Sequence, residues 1–340
     1  MAFGIGRAKT LARRVRDRVL PGAIILLYHR VGEPELDPQL LSVSRRHFEE
    51  HLLVLRGFRR VPLAQLPAAS AVGQPRIAVT FDDGYADNLH NAKPLLDKYE
   101  TPATMFVSSG YVLDRRPYWW DELQQLLLRP GPLPPTLAVA IGGAAREFPL
   151  DDEATYGGVY AQSRAWSVAT RGDPSGRHAA YRELCAAIRG LAPDRRLEAL
   201  DDVRAAIGAA AMDDGEACTA DEIRQLREPG LIEIGGHTCT HPILSRLSVA
   251  EQQREISQGK AALEEMLGEP IRTFAYPFGT RADYTAETAA CVRHAGFAQA
   301  CSNFEGRVRG RTDPFQLPRY LVRDWDGETF EKKLTGWLRG

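Results

Sequence analysis

The sequence predicts an α/β protein, a (β/α) barrel with an inserted cap made of helices and a hairpin. Short β-branched runs alternate with segments of helical periodicity along most of the chain, which is typical of βαβ units and a parallel sheet. The alternation breaks between about residues 112 and 220 and then resumes. One barrel with an insertion therefore accounts for all 340 residues.

The composition is that of an ordinary globular protein, with 44% hydrophobic and 26% charged residues. Lys and Arg number 43 and Asp and Glu 44, so the formal net charge is −1. This balance excludes a global basic field that would attract nucleic acid. The five cysteines form no Cys-x-x-Cys pair, which argues against a disulfide framework and a thiolate zinc site, and favours a reducing compartment.

A basic N-terminal segment, residues 1–22, precedes the barrel, which we place at residues 23–340. Between residues 7 and 20, basic and apolar side chains follow helical spacing, without the apolar core and cleavage site of a secretory signal. Two interpretations stay open, a solvated helix and a helix that makes a peripheral contact with a membrane. We expect a cytoplasmic protein.

The first part of the predicted barrel alternates strands and helices in chain order. Its apolar first strand is too short to cross a membrane. A serine N-cap and a terminal glycine bound the first helix. The strands are predicted at residues 22–28, 76–81 and 103–107, and the helices at residues 44–57 and 92–99.

The insertion, at about residues 112–220, is predicted to contain a hairpin that turns at Gly142 and Gly143, followed by two alanine-rich helices. The hairpin covers residues 137–150, and the helices cover residues 177–189 and 193–207. Beyond the insertion the alternation resumes. Strands are predicted at residues 231–234, at 273–276 and near Phe297 and Leu317, and helices at 249–267 and 286–295.

Two histidines, His237 and His241, follow directly after a predicted strand. If the segment turns helically, side chains at i and i+4 point to the same side, so that two imidazoles converge on one cation. Pairs with this spacing also arise by chance on protein surfaces. The pair alone therefore leaves a metal site and a surface position open.

A pair of carboxylates, Asp82 and Asp83, follows another predicted strand and offers one metal ligand and one free carboxylate. A bound cation lowers the pKa of a water molecule, and a neighbouring carboxylate accepts its proton. The alternative is a solvated Asp-Asp-Gly turn. Because both pairs fall at strand ends of the same alternating pattern, where parallel barrels carry their chemistry, we favour a site.

Three motifs together resemble those of the polysaccharide deacetylases, carbohydrate esterase family 4. They read Thr-Phe-Asp-Asp-Gly-Tyr from residue 80, His-Thr-Cys-Thr-His-Pro from residue 237 and Phe-Ala-Tyr-Pro-Phe-Gly from residue 274. The resemblance covers about residues 22–334, with the insertion set aside. It implies a distorted (β/α) barrel that removes the acetyl group from an N-acetylated sugar or glycan intermediate. It also implies one divalent metal, which we expect to be zinc.

The resemblance assigns roles to residues of the motifs. The positions that match the metal ligands are Asp83, His237 and His241. Asp82 matches the general base, and Phe278 replaces a tyrosine whose backbone N–H stabilises the oxyanion. Tyr85 and Pro277 are assigned to substrate binding, with Pro277 also fixing the loop.

The third motif departs from the family pattern, because Ala275 stands where an arginine commonly steadies the base. We predict that Arg319 takes over this role, since hydrogen bonds from a guanidinium would keep Asp82 ionised. An exposed arginine at a strand end is the alternative.

The C-terminal histidine that usually supplies the general acid is also missing, because no histidine follows His294. The segment Leu-Tyr-His-Arg-Val around His29 resembles the branch of exopolysaccharide deacetylases in which the motifs are circularly permuted. We therefore predict that His29 is the acid and is cationic in the free protein. A core histidine is the alternative, and the other histidines outside the motifs are expected at the surface.

Trp119 and Trp120 open the insertion, where they either stack on a sugar ring or pack the cap. Because the metal ligands lie outside the insertion, we expect the metal site to assemble without it. Two rival functions stay open, a hydrolase of a non-sugar amide and a non-catalytic barrel that binds glycans. The expected partner is an N-acetylated carbohydrate, and the sequence leaves the oligomeric state open.

Overall fold

A computed structural model describes residues 22–66, 75–210, 215–228 and 230–339. The basic segment, including the predicted membrane contact of residues 7–20, lies outside the described residues except for Gly22. Within the described ranges, no helix is long and apolar enough to cross a membrane. All five cysteines are free, as their spacing predicts.

Parallel strands form the centre of the fold. In chain order the strands are β1 Ile24–Tyr28, β2 Arg30–Val31, β3 Ser42–Val43, β4 Arg59–Arg60, β5 Arg76–Phe81, β6 Ala103–Val107, β7 Thr136–Ile141, β8 Ala144–Pro149, β9 Ile232–Gly236, β10 Thr273–Ala275, β11 Gln299–Cys301 and β12 Tyr320–Leu321. Seven of them lie in the order β11-β10-β9-β6-β5-β1-β12, and β4 also pairs with β5. All pairings in this sheet are parallel, which confirms the predicted α/β class.

The segment around Leu317 connects the two edges of this sheet. Leu317 donates to the carbonyl of Ala300 in β11, and its own carbonyl accepts from Ser302. Three residues later, Tyr320 pairs with Leu26 of β1. The strands predicted near Phe297 and Leu317 thus correspond to β11 and β12, and together they bring the ends of the sheet into one barrel-like wall.

Helices cover the outside of the sheet and build the cap. They are α1 Arg45–Leu55, α2 Lys93–Lys98, α3 Ser109–Asp114, α4 Trp119–Leu127, α5 Glu153–Ser163, α6 Gly176–Ile188, α7 Pro193–Ile207, α8 Ala220–Arg227, α9 Val249–Leu267, α10 Ala286–His294 and α11 Gly327–Arg339. Capping follows the sequence, since Ser44 accepts from His47 at the start of α1 and Ser248 forms a capping box with Glu251 at α9. The predicted helices are confirmed, whereas α3, α4, α5, α8 and α11 were not predicted.

Alternating side chains of the strands separate an inner from an outer core. On β1, Ile24 and Leu26 pack in the outer cluster with the helices, while Ile25 belongs to an inner cluster. Ala78 of β5 belongs to the same inner cluster. Because side chains alternate along a strand, a residue two or four positions beyond these points to the same face. His29 and Asp82 follow at this spacing.

The cap has a hydrophobic core of its own, formed mainly by residues 118–203. It contains the predicted hairpin, β7 and β8, whose turn residues Gly142 and Gly143 have φ values of 61° and 84° that glycine adopts without strain. The predicted helices appear as α6 and α7. That this region is an insertion at residues 112–220 stays a prediction.

Candidate active site

Strained backbone marks the loops at the carboxyl ends of the strands. Seven non-glycine residues in the described chain have positive φ, and four of them are Asp83, Thr238, His241 and Phe278. Left-handed conformations of such residues persist only where the surrounding structure fixes them, and they cluster at functional sites. Each of the three sequence motifs thus contains at least one residue with such a backbone conformation.

Asp83, His237 and His241 come together as predicted. Asp83 Oδ1 lies 3.6 Å from His237 Nε2 and 3.4 Å from His241 Nε2, and all three side chains are buried. Donor atoms of a tetrahedral zinc site with bonds of ~2.0–2.1 Å lie ~3.3 Å apart, so this set is compact enough to share one ion. Among the described residues, these three form a group whose possible ligand atoms all lie within 4.8 Å of one another and could hold a metal ion.

The chemistry of these atoms fits a cation. Within the described part of the chain, Asp83 Oδ1 and His237 Nε2 are buried without a hydrogen-bond partner. Burial raises the pKa of Asp83 well above its usual range, and the neighbouring charge of Asp82 raises it further. Unpartnered buried polar atoms are destabilising, and a shared cation would satisfy both of them.

His237 is oriented by its second ring nitrogen. Nδ1 lies 2.7 Å from the carbonyl oxygen of Ala275, which can only accept, so Nδ1 carries the proton. Burial lowers the pKa of His237. The neutral ring therefore directs the lone pair of Nε2 towards Asp83, which is the arrangement that a metal ligand requires.

The loop of residues 238–241 is not the helical turn that the i and i+4 spacing suggested. Thr238 and His241 have φ values of 67° and 56°, and the Thr238 hydroxyl accepts from the backbone N–H of His241. The two imidazoles still converge, with ring centroids 4.9 Å apart. The prediction of convergence is confirmed, and its helical cause is wrong.

Two other elements brace this loop. From α9, Glu255 accepts hydrogen bonds from the backbone N–H groups of Cys239 and Thr240, each at 3.0 Å. From α7 of the cap, Arg196 donates through one nitrogen to the carbonyls of Thr240 and His241, each at 3.2 Å. A cap residue thus contacts the ligand loop, which counts against the expectation that the metal site assembles without the insertion; that expectation stays a prediction.

Arg319 holds Asp82 through two parallel hydrogen bonds. Its two terminal nitrogens lie 2.7 Å from Asp82 Oδ1 and Oδ2, and its Nε donates to the carbonyl of Ser302 at 2.8 Å. Burial opposes ionisation of Asp82, but the charge of Arg319 prevails and the pKa of Asp82 is lowered. The contact predicted for Arg319 is present, and the alternative of an exposed arginine is excluded because its side chain is 0% exposed.

His29 lies in the wall of the same cavity as Asp82 and His241. Register explains its position, because Tyr28 pairs with Phe81 and the Tyr28 carbonyl accepts from the N–H of Asp82. Burial lowers the pKa of His29 to about 4, against a smaller opposing effect of Asp82. A pKa in this range favours a neutral ring near neutral pH, which counts against the expectation that His29 is cationic in the free protein.

Phe278 lies at the edge of the ligand set, with its ring centroid 4.7 Å from that of His241. Its backbone φ is 58°, and its N–H donates no hydrogen bond to any residue that the structure describes. The predicted role of this N–H as an oxyanion donor stays a prediction. Pro277 is buried beside it and does not line the cavity, so its position supports fixing the loop rather than contacting substrate.

The three aromatic residues assigned or considered for substrate binding lie at different depths. Tyr85 is 0% exposed, donates to Asp121 and accepts from Trp120, so it has no surface for a substrate and the assignment is wrong. Trp119 and Trp120 both line the cavity and both pack in the cap core. The Trp120 ring lies 5.2 Å from that of His241 and covers this ligand.

The cavity over these residues has a volume of about 450 Å³, within the range of small-molecule binding sites. The barrel contributes His29, the two aspartates and the two histidines. The cap contributes Trp119, Trp120 and residues of α6. The sequence analysis did not identify Arg196 or Tyr118 as residues that support the site, because neither belongs to a motif. The hydroxyl of Tyr118 donates to the carbonyl of Asp83.

Two histidines expected at the surface are buried instead. His51 is enclosed between Tyr28 and Phe330, and its Nε2 lies 2.7 Å from the carbonyl oxygen of Trp325. His178 packs against Trp166 in the cap. Neither belongs to the cavity, so they are structural residues of the two cores.

The fold and the site define a barrel protein in which two histidines and one carboxylate form a candidate metal site beside a second, arginine-bound carboxylate. A sequence model of the polysaccharide deacetylase family matches residues 69–130 and 202–300. The unmatched residues between these ranges belong to the cap. Over these two ranges the chain matches the polysaccharide deacetylase family, whose members are generally metal-dependent.

Known relatives agree with this assignment. The chain is 33% identical over 89 residues to a putative polysaccharide deacetylase, YxkH, of Bacillus subtilis, covering 24% of this chain and 30% of that protein. It is 28% identical over 111 residues to the poly-beta-1,6-N-acetyl-D-glucosamine N-deacetylase of Escherichia coli, covering 30% of this chain and 16% of that protein. The matches thus span less than a third of either relative.

Two solved structures share the fold. One is the Streptococcus pyogenes deacetylase PplD in complex with acetate, with a TM-score of 0.56 and 16% identity, covering 92% of this chain and 98% of that one. The other is IcaB from Ammonifex degensii, with a TM-score of 0.56 and 19% identity, covering 94% and 98%. At this identity the likeness confirms the barrel architecture alone.

Proposed function

We propose that the protein is a metal-dependent hydrolase that removes the acetyl group from an N-acetylated sugar or glycan intermediate and releases acetate and a free amine. The observation that carries the proposal is that a candidate metal site and an ionised carboxylate lie side by side in one cavity. The Asp83, His237 and His241 donors lie beside Asp82, which a buried guanidinium keeps ionised.

Asp83, His237 and His241 would hold the metal ion, and we propose zinc because two imidazoles and one carboxylate with an open position are typical of catalytic zinc. When bound, the ion supplies Lewis-acid polarisation of the acetyl carbonyl and lowers the pKa of water. Asp82 accepts a proton from the attacking water. The N–H of Phe278 donates to the oxyanion that develops on the carbonyl oxygen.

His29 donates a proton to the departing amine. Because its ring is neutral in the free protein, it receives this proton during the reaction, and Asp82 on the neighbouring strand is the source. Trp119 and Trp120 close one side of the cavity, where their exposed edges contact the sugar. Cytoplasmic localisation and a peripheral membrane contact through residues 7–20 stay predictions.

Mass spectrometry of N-acetylated sugars and oligosaccharides incubated with the zinc-loaded protein tests the proposal. We expect loss of an acetyl group from at least one of them, together with release of acetate. Asp82→Asn should retain zinc and lose turnover by about 10²–10⁴-fold, as expected for a general base. Acetate release from none of the sugars would leave the rival functions, a non-sugar amidase or a glycan-binding barrel.

His29 is tested by comparing two kinds of substrate. An amine needs a proton to depart and an activated phenol does not, so His29→Ala should slow a sugar acetamide far more than an aryl acetate. Equal losses on both substrates would remove His29 from the proton transfer and make it a structural residue.

A further inference from the structure

The cavity over the metal ligands carries an excess of positive charge. Its lining includes Arg182, Arg189 and Arg323, whereas Asp82 and Asp83 are the only carboxylates among the described residues that line it. Asp82 is already neutralised by Arg319, which lies beneath it. A divalent ion at Asp83 would more than balance that carboxylate. The arginines of the lining therefore require partners elsewhere.

Arg182 has such partners within the cap. Its Nε donates to Asp173 at 2.9 Å, and its terminal nitrogens donate to the carbonyls of Val168 and Thr170. Its planar group also covers the ring of Trp166. The charge and the donors of Arg182 are thus used to hold the cap together.

Arg323 has no carboxylate in contact. One of its terminal nitrogens donates to the carbonyl of Leu40, and it forms no ion pair with any residue in the described ranges. Its side chain is partly buried, and burial lowers the pKa of the guanidinium. Its charge also acts on His29, which places it beside the proposed acid. Asp37 is the carboxylate whose charge acts on Arg323, but it forms no ion pair with it, so the guanidinium keeps donors for an anionic ligand in the cavity.

Arg189 is only partly satisfied. Its terminal nitrogen lies 3.3 Å from Asp283 Oδ1, and its guanidinium lies 4.4 Å above the ring of Phe278. Its buried Nε has no hydrogen-bond partner among the described residues. Stacking fixes the plane of the group next to the proposed oxyanion position, and because the side chain is 43% exposed, the terminal N–H donors that Asp283 does not occupy are left for a ligand.

We propose that the substrate is an N-acetylated sugar that carries an anionic group, a phosphate or a carboxylate, which Arg323 and Arg189 bind in the cavity. The inference rests on the proposed deacetylase function, because it concerns the same cavity and adds the chemical class of the substrate. Guanidinium groups suit this task because they bind phosphate and carboxylate oxygens through paired N–H donors.

The test compares three sugars on the zinc-loaded protein: N-acetylglucosamine 1-phosphate, N-acetylmuramic acid and the neutral methyl glycoside of N-acetylglucosamine. We measure kcat/KM for acetate release and, separately, binding by calorimetry. One charge-assisted contact predicts that an anionic sugar is favoured by at least about tenfold over the neutral one. The preferred anionic sugar identifies phosphate or carboxylate as the group.

Variants connect the preference to the two arginines. Arg323→Gln and Arg189→Gln should each lower kcat/KM for the anionic sugar more than for the neutral sugar, so that the preference falls, while Arg323→Lys should retain part of it. Arg254→Gln on the exposed side of α9 removes the same charge outside the cavity and should leave the preference unchanged. Added salt should weaken the preference in the wild type.

The outcomes separate this inference from the function on which it rests. Acetate release at equal rates from anionic and neutral sugars, with both Gln variants like the wild type, would overturn the inference and retain the deacetylase. Acetate release from none of the sugars would overturn the proposed function. In that case tighter binding of an anionic sugar to the wild type than to Arg323→Gln would support the anion site, and equal binding would refute it.

Discussion

Arg196 connects the cap to the metal ligands, so its replacement tests whether the cap is part of the site. The residue lies on α7, is 2% exposed, and donates to the carbonyls of Thr240 and His241. Arg196→Met removes both hydrogen bonds and the charge and keeps an unbranched side chain. The ligand His241 and its ring stay in the sequence, while its backbone loses one of two supports.

The structure predicts different effects on stability and on metal binding. The buried Nε and one terminal nitrogen of Arg196 have no partner among the described residues. Arg196→Met removes these unpartnered buried nitrogens, which is stabilising, and also removes two long hydrogen bonds, which is destabilising. Because the two effects offset each other, the free energy of unfolding of the metal-free protein should change by less than about 1 kcal/mol. Loss of a support behind a ligand typically weakens metal affinity by about 10–100-fold, which corresponds to about 1.4–2.7 kcal/mol.

The assay is competition with a chromophoric zinc chelator, paired with urea unfolding of the metal-free protein. Arg204→Met on the same helix is the matched control. Arg204 pairs with the buried Glu122 and does not contact the ligand loop, so its loss should lower the free energy of unfolding by about 1–3 kcal/mol and leave zinc affinity unchanged. Wild-type zinc affinity in Arg196→Met would refute the reasoning and show that the cap does not support the site.

Three further predictions concern the metal, the base and the core. His237→Ala should lose stoichiometric zinc while its circular dichroism stays that of a folded protein, and retained zinc in elemental analysis would contradict the site. Arg319→Met leaves Asp82 buried without its guanidinium partner, so the free energy of unfolding should fall by about 3–5 kcal/mol. Arg319→Lys should recover part of this loss. Urea unfolding measures both variants, and an unchanged midpoint in Arg319→Met would count against a stabilising ion pair. His51 has a pKa lowered by burial from 6.5 to about 4, so the unfolded chain takes up its proton first and stability is lost as the pH falls through this window, by up to about 3 kcal/mol. In His51→Phe the decrease in unfolding free energy between pH 7 and pH 4 should be smaller by that amount, and an equal decrease in both proteins would show that another group causes it.

The sequence was sufficient to predict features that depend on local pattern. Short apolar runs predicted the longer strands of the sheet, and helical periodicity predicted most barrel helices, because a buried parallel strand needs continuous apolar character and a helix needs its periodic face. The two-residue strands β2, β3 and β4 were not predicted. The position of Asp83 and His237 directly after strands predicted their convergence, since parallel strands end at one rim. The backbone conformation of the loop of residues 238–241 could not be predicted from the sequence, because this loop, with its positive φ at Thr238 and His241, makes hydrogen bonds to α7 and α9.

The other features that the sequence did not predict depend on contacts between residues distant in sequence. Arg196 lies 45 residues from His241, and His51 lies 274 residues from Trp325. A helical pattern shows which face of a helix is apolar, but it does not show that one polar side chain within that face finds a carbonyl elsewhere. Tyr85 illustrates the reverse case, because its motif position suggested a substrate contact and its burial instead supports Trp120.

The two departures from the family motifs have a common explanation in the order of the strands. β1 pairs with β5 on one side and β12 on the other, so His29 after β1, Asp82 after β5 and Arg319 before β12 come from three neighbouring strands. Ala275 belongs to the inner cluster of the barrel together with Phe106, whose ring lies 5.6 Å from the guanidinium of Arg319. The first and last strands of the chain are adjacent, so a functional side chain that moves from one end of the sequence to the other keeps its place at the rim. The geometry of the proposed proton transfer would therefore depend on the pairing of these strands and not on the order of the motifs.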